Sequence, residues 1–90
     1  MHIESVEVYS DQSNAVVMRH PGRRFPGVLM QGDTLRGFCA QLDAVCAEAE
    51  RRLSEDGYGE LDLLRNHLRE LLDHYKAVLG EHGIPLPFGD

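Results

Sequence analysis

Arg19, Arg23 and Arg24 place three guanidinium groups within six residues, with no acidic residue between them. His20 and Phe25 stand in the same stretch, and Pro21-Gly22 and Pro26-Gly27 bracket its tip. Guanidinium groups grip carboxylates and phosphates through paired N–H donors. An aromatic neighbour supplies an apolar anchor. Prolines stiffen the loop, so less chain entropy is lost when it binds. Arg19, His20, Arg23, Arg24 and Phe25 are therefore the candidate partner- or anion-binding residues. The plainer reading is a solvated turn whose arginines balance an acidic surface, with Phe25 plugging the core.

Other reactive residues do not converge. His67, Glu70 and His74 stand at i, i+3 and i+7 and share one helix face. Histidine with carboxylate suits zinc or iron. The two imidazoles lie about 10 Å apart along a straight helix, so only a second subunit or element could complete such a site. The alternative is a polar helix flank. Cys39 and Cys46 are also seven residues apart in a helical stretch, about 10 Å along its axis, beyond the ~7 Å a disulfide tolerates. Both fall on an apolar stripe and read as buried thiols in a reducing compartment. Asp11, Asp33 and Asp43 are scattered over a turn, a cap and a helix. No nucleophile elbow, phosphate loop, paired-cysteine zinc motif or His-Glu-x-x-His is present. The expectation is a protein that is not an enzyme, with no cofactor and no metal.

The bulk composition narrows the class. Ninety residues make one domain, expected over 1–90, with 42% hydrophobic and 27% charged residues. A chain this short buries only roughly 60–65% of its unfolded surface, leaving apolar area for another subunit or partner. The net charge is −6, and the body carries −9 once the three loop arginines are set aside. Phosphate backbones repel such a body, so a nucleic-acid partner is not expected. No apolar run approaches the ~18 residues of a membrane span. Met1-His2-Ile3-Glu4 lacks the basic-then-apolar pattern of a signal peptide, so a cytoplasmic location is expected.

The elements that must position the loop are legible in outline. Val6 and Val8 alternate with Glu7 and Tyr9, then Ser10-Asp11-Gln12-Ser13-Asn14 turns the chain, and 15–18 resume a strand. Val28-Leu29-Met30-Gln31 gives a third strand, apolar on both faces, which is either central or covered by a second layer. Asp33 or Thr34 caps a first helix whose apolar residues are Leu35, Phe38, Cys39, Leu42, Val45, Cys46, Ala49 and Leu53, spaced by threes and fours. Residues 54–59 break that pattern. Leu61, Leu64, Leu68, Leu71, Leu72, Tyr75, Val78 and Leu79 mark a second helix, with Gly80 and Gly83 as candidate stops. The expected fold is α+β, in the order β-β-β-α-α. A three-stranded antiparallel sheet (1–32) precedes an antiparallel two-helix hairpin (33–54 and 60–80) and an extended tail (84–90). Helix one is expected to cover the sheet face carrying Val6, Val8, Val16, Met18, Val28 and Met30, with helix two beside it. Leu63, and Leu29 on the second sheet face, are candidates for a homo-oligomer contact.

Phe25-Pro26-Gly27-Val28-Leu29-Met30-Gln31-Gly32-Asp33-Thr34-Leu35 resembles a run in HicB-type antitoxins: proline-glycine, a short strand, then Gln-Gly-Asp-Thr-Leu opening the first helix. The resemblance spans about residues 4–53 and implies a small, partial ribonuclease-H-like α+β domain that folds against a messenger-RNA-cleaving toxin without catalysing anything itself. Three features depart from that pattern. No fourth strand fits between the helices, operator binding is not expected from the 84–90 tail, and Arg36 and Gly37 replace acidic residues after Thr-Leu. The 19–27 stretch also resembles small bacterial proteins described only as a domain of unknown function.

The role expected from all this is a small non-catalytic interaction protein, antitoxin- or immunity-like. Its acidic body would attract a basic toxin or enzyme, and its loop would anchor the contact. The alternative is a small homo-oligomeric protein that binds an anionic ligand at the 19–27 loop.

Overall fold

The computed structural model describes residues 1–50, 52 and 54–89. Leu53, expected at the end of the helix-one stripe, lies outside them. The architecture is α+β: strands β1 (Glu7–Ser10), β2 (Val16–Arg19) and β3 (Gly27–Leu29), then helices α1 (Gly32–Ala49) and α2 (Glu55–Glu81). Two compact units result, Met1–Gln31 and Gly32–Asp90, and each is taken in turn.

The first unit is an antiparallel sheet in the order β1-β2-β3. Ser13 closes the first turn: its Oγ donates to the Ala15 carbonyl at 2.9 Å and accepts from the Ala15 N–H at 3.3 Å. Glu7 then faces Arg19 and Val8 faces Met18, but Ser10 faces Val17, so Tyr9 is an extra residue in β1. On the other side of β2, Val17 faces Val28 and Val16 faces Leu29.

Two expectations change here. Of the two alternatives for the apolar third strand, the central one does not hold: β3 forms an edge, and β2 is the middle strand. Val28 does not share a face with Val16 and Met18; Leu29 does. Strand side chains alternate, so one residue of register exchanges the faces, and the 19–27 loop sets that register.

The second unit is a helical hairpin. Asp33 accepts from the Thr34 N–H at 2.9 Å in the first turn of α1. The residues turned inward on α1 are Leu35, Cys39, Cys46 and Ala49, with Leu42 half-buried between them. Their spacing alternates four and three, the repeat that keeps one seam facing a partner helix. On α2 the matching seam runs through Tyr58, Leu61, Arg65, Leu68, Leu72, Tyr75 and Leu79. Leu35, Cys39 and Leu72 form the core cluster, and Leu68, Tyr75 and Phe88 pack against it.

Both helix ends near the connection differ from expectation. Helix α1 stops at Ala49 rather than at 54, and α2 begins at Glu55 rather than at 60. Gly57 and Gly59 look like breakers, each costing about 1 kcal/mol in a helix. Ser54 decides the start instead, because its Oγ accepts the Gly57 N–H at 3.2 Å as an N-cap.

At the far end Gly80 remains helical and Gly83 ends the helix, with φ +66°. The Gly83 N–H donates to the Gly80 carbonyl at 3.2 Å, and the Ile84 N–H to the Leu79 carbonyl at 2.9 Å. This pair of bonds is a Schellman cap. A Cβ at Gly83 meets no atom within 4 Å, so only backbone strain opposes a side chain there. Gly83→Ala is expected to cost about 1 kcal/mol, a fall in melting temperature of roughly 5 °C by circular dichroism.

Candidate interaction surface

The basic loop begins where β2 ends. Register places Arg19 opposite Glu7, and its Nε donates to the Glu7 carboxylate. That hydrogen bond and the Glu7 charge raise the Arg19 pKa above its ordinary value. The Arg19 Nη1 also donates to the Arg23 carbonyl at 3.0 Å. His20 is engaged through both ring nitrogens: Nδ1 accepts the Gly22 N–H at 3.0 Å, and Nε2 lies 2.9 Å from Glu4 Oε2. The Arg23 N–H closes the turn on the His20 carbonyl at 2.9 Å. Arg19 and His20 therefore hold the loop in shape.

The tip is different. Phe25 is 70% exposed, so it does not plug the core. The Arg24 guanidinium lies over its ring, 5.2 Å from the centroid, a cation–π stack. Arg23 and Arg24 carry no ion pair among the described residues. Beside the tip, Met18, His20, Arg23, Phe25, Val28 and Leu29 line a depression of about 190 Å³. Of the five expected residues, His20, Arg23 and Phe25 meet at this depression, Arg24 joins through Phe25, and Arg19 serves the scaffold. Met18 and Val28 were not anticipated as contact residues, and Leu29 was expected only at a homo-oligomer contact. The signal for them was a strand apolar on both faces next to Pro26, which suits a sheet edge.

The helical hairpin has two unlike flanks. On one, Arg69 pairs with Asp43 and Arg65 with Asp62. Arg36, Cys39, Asp43, Arg69, Asp73 and Lys76 line a groove of about 220 Å³ there. Arg36 and Lys76 lie 5.5 and 5.8 Å from the centroid of the Phe88 ring, which stacks on Tyr75. Burial pushes the Cys39 thiol pKa up, and the Asp43 charge adds to the effect. A protonated thiol is a poor nucleophile. The cysteines are free and buried, and Cys46 Sγ lies 3.9 Å from the Leu61 carbonyl.

His67, Glu70 and His74 are exposed on α2. Among the described residues, no three His, Cys, Asp or Glu side chains are placed to share a metal ion. No helix among them is long and apolar enough to cross a membrane.

The fold and surface thus define a small α+β protein with a braced basic loop beside a sheet edge. A family of unknown function, DUF6959, matches residues 1–88, and the chain belongs to that family. The likeness to a domain of unknown function agrees with this; no comparison supports the HicB-type one. No curated protein and no solved structure matches the chain.

Proposed function

We propose that the protein is a non-catalytic interaction module that engages a protein partner through Arg23, Arg24 and Phe25. The observation that carries this reading is the tip itself: a mostly exposed phenylalanine under an arginine, on a turn already held by hydrogen bonds from Arg19, Gly22 and Arg23. A preformed loop spares the partner the ordering cost that a flexible one carries. A complementary surface would offer an apolar pocket for Phe25 rimmed by carboxylates for the two arginines. Arg19 commits Nε and Nη1, and His20 both ring nitrogens, within the chain, which favours this reading over a small-anion site built from all four basic residues. An antitoxin- or immunity-type role is a finer form of the same proposal. Its support is the −6 net charge, which would speed encounter with a basic toxin or enzyme.

The test is affinity capture from the native host with the wild-type chain and an Arg23→Ala/Arg24→Ala/Phe25→Ala variant. The expected result is a partner whose affinity falls about 100-fold or more in the variant, with helical content unchanged. Equal capture by both proteins would rule the loop out as the contact.

A further inference from the structure

The second flank of the hairpin is apolar. Phe38 and Val45 each precede a seam residue of α1, Cys39 and Cys46; Leu64 and Leu71 each precede a seam residue of α2, Arg65 and Leu72. In an antiparallel helix pair, residues one step before the seam on each helix line up on the same side. Residues one step after it, such as Asp43 and Arg69, line up on the other. The Asp43–Arg69 ion pair fixes which flank is which. Phe38, Val45, Leu64 and Leu71 are 45%, 52%, 51% and 54% exposed. A further hollow of about 350 Å³ lined by Val45, Ala49 and Leu61 continues the same flank, with the exposed Glu48–Arg52 ion pair at its edge.

We propose that a second copy of this chain covers the stripe, giving a four-helix dimer related by a two-fold axis. The area argument supports this occupant. Four such side chains, each half-exposed, leave roughly 350 Å² of apolar surface, within the range of functional patches. Two copies would bury about 700 Å² of it, which at the ~57% apolar share of a whole interface corresponds to about 1,200 Å² in total. That is the lower bound for a stable specific contact. Symmetry adds a second argument. A two-fold axis apposes the same stripe on both copies, residue i meeting j while j meets i, and a stripe apolar on both helices is self-complementary in that arrangement. The other flank is unsuited, because its arginines and aspartates already pair within the chain. Each copy carries −6, so long-range repulsion opposes the contact and salt should strengthen it.

Sedimentation equilibrium of the full chain, whose mass is 10.1 kDa, tests the proposal. The expected wild-type mass is twice that value, with a dissociation constant that falls as salt rises. Leu64→Gln/Leu71→Gln and, on the other helix, Val45→Lys should each weaken the dimer about tenfold or more with the helical signal retained. Both changes sit at half-exposed positions and leave the seam intact. Arg69→Gln, on the opposite flank, should remain dimeric. A monomeric wild type overturns the proposal. So does a dimer that both stripe variants preserve, or one that salt dissociates, which points to a charge-driven contact elsewhere.

Discussion

Leu72→Ala is expected to remove about 3–4 kcal/mol of stability, the usual cost of emptying a buried leucine site. Leu72 is 6% exposed and shares the core cluster with Leu35 and Cys39, while Leu68, Tyr75 and Phe88 pack against that cluster. A 90-residue chain has roughly 5–13 kcal/mol in all, so the loss is a large share of the total. Urea unfolding followed by circular dichroism should show the midpoint move sharply down. Leu63→Ala is the matched control: Leu63 lies on the same helix, 50% exposed, and its removal should cost under about 1 kcal/mol. Similar losses at the two positions would mean that the core is not where the burial places it.

Gly32→Ala is the second large effect, and a sharper one. Gly32 is the buried first residue of α1, and a Cβ built on it would overlap the hydroxyl end of the Tyr75 ring. The ring would have to swing away from the core cluster and from Phe88. Overpacking of this kind costs about 2–3 kcal/mol. A double-mutant cycle separates this cause from helix propensity. In a Tyr75→Ala background the same Gly32→Ala change should cost close to nothing, giving a coupling of about 2 kcal/mol. Additive losses would show that the ring is not the reason for glycine. This contact also gives a local reason for part of the Gln31-Gly32-Asp33-Thr34-Leu35 run. Its glycine is explained by packing against Tyr75, with no toxin involved.

The helices were legible because three-and-four spacing is a property of the sequence alone. The sheet was legible because alternation is too. Its faces were not. Tyr9 adds a residue to β1, and the loop after Arg19 sets the register of β3, so Val28 and Leu29 exchange sides. Neither event leaves a periodic trace. The start of α2 was hidden because Gly57 and Gly59 carry the marks of a break, whereas a single serine hydroxyl decides the boundary.

The loop was found as a cluster, but its members could not be sorted. Arg19, Arg23 and Arg24 are chemically identical, and only the strand pairing brings Glu7 opposite the first of them. The HicB-type likeness spans about residues 4–53 and centres on eleven of them. The family that matches nearly the whole chain is one of unknown function, and the loop itself is now the basis for the partner reading.

The irregularity at Tyr9 has a bearing on solubility. A sheet with two open rims invites strands from other molecules, the first step toward fibrils. One rim here is β1, where the extra residue interrupts the ladder and sharpens the local twist. The other is β3, three residues long and preceded by Pro26, which has no N–H to offer an incoming strand. Neither rim is a long, flat template. Val28 and Leu29 can therefore stand exposed on this sheet with less risk of seeding aggregation.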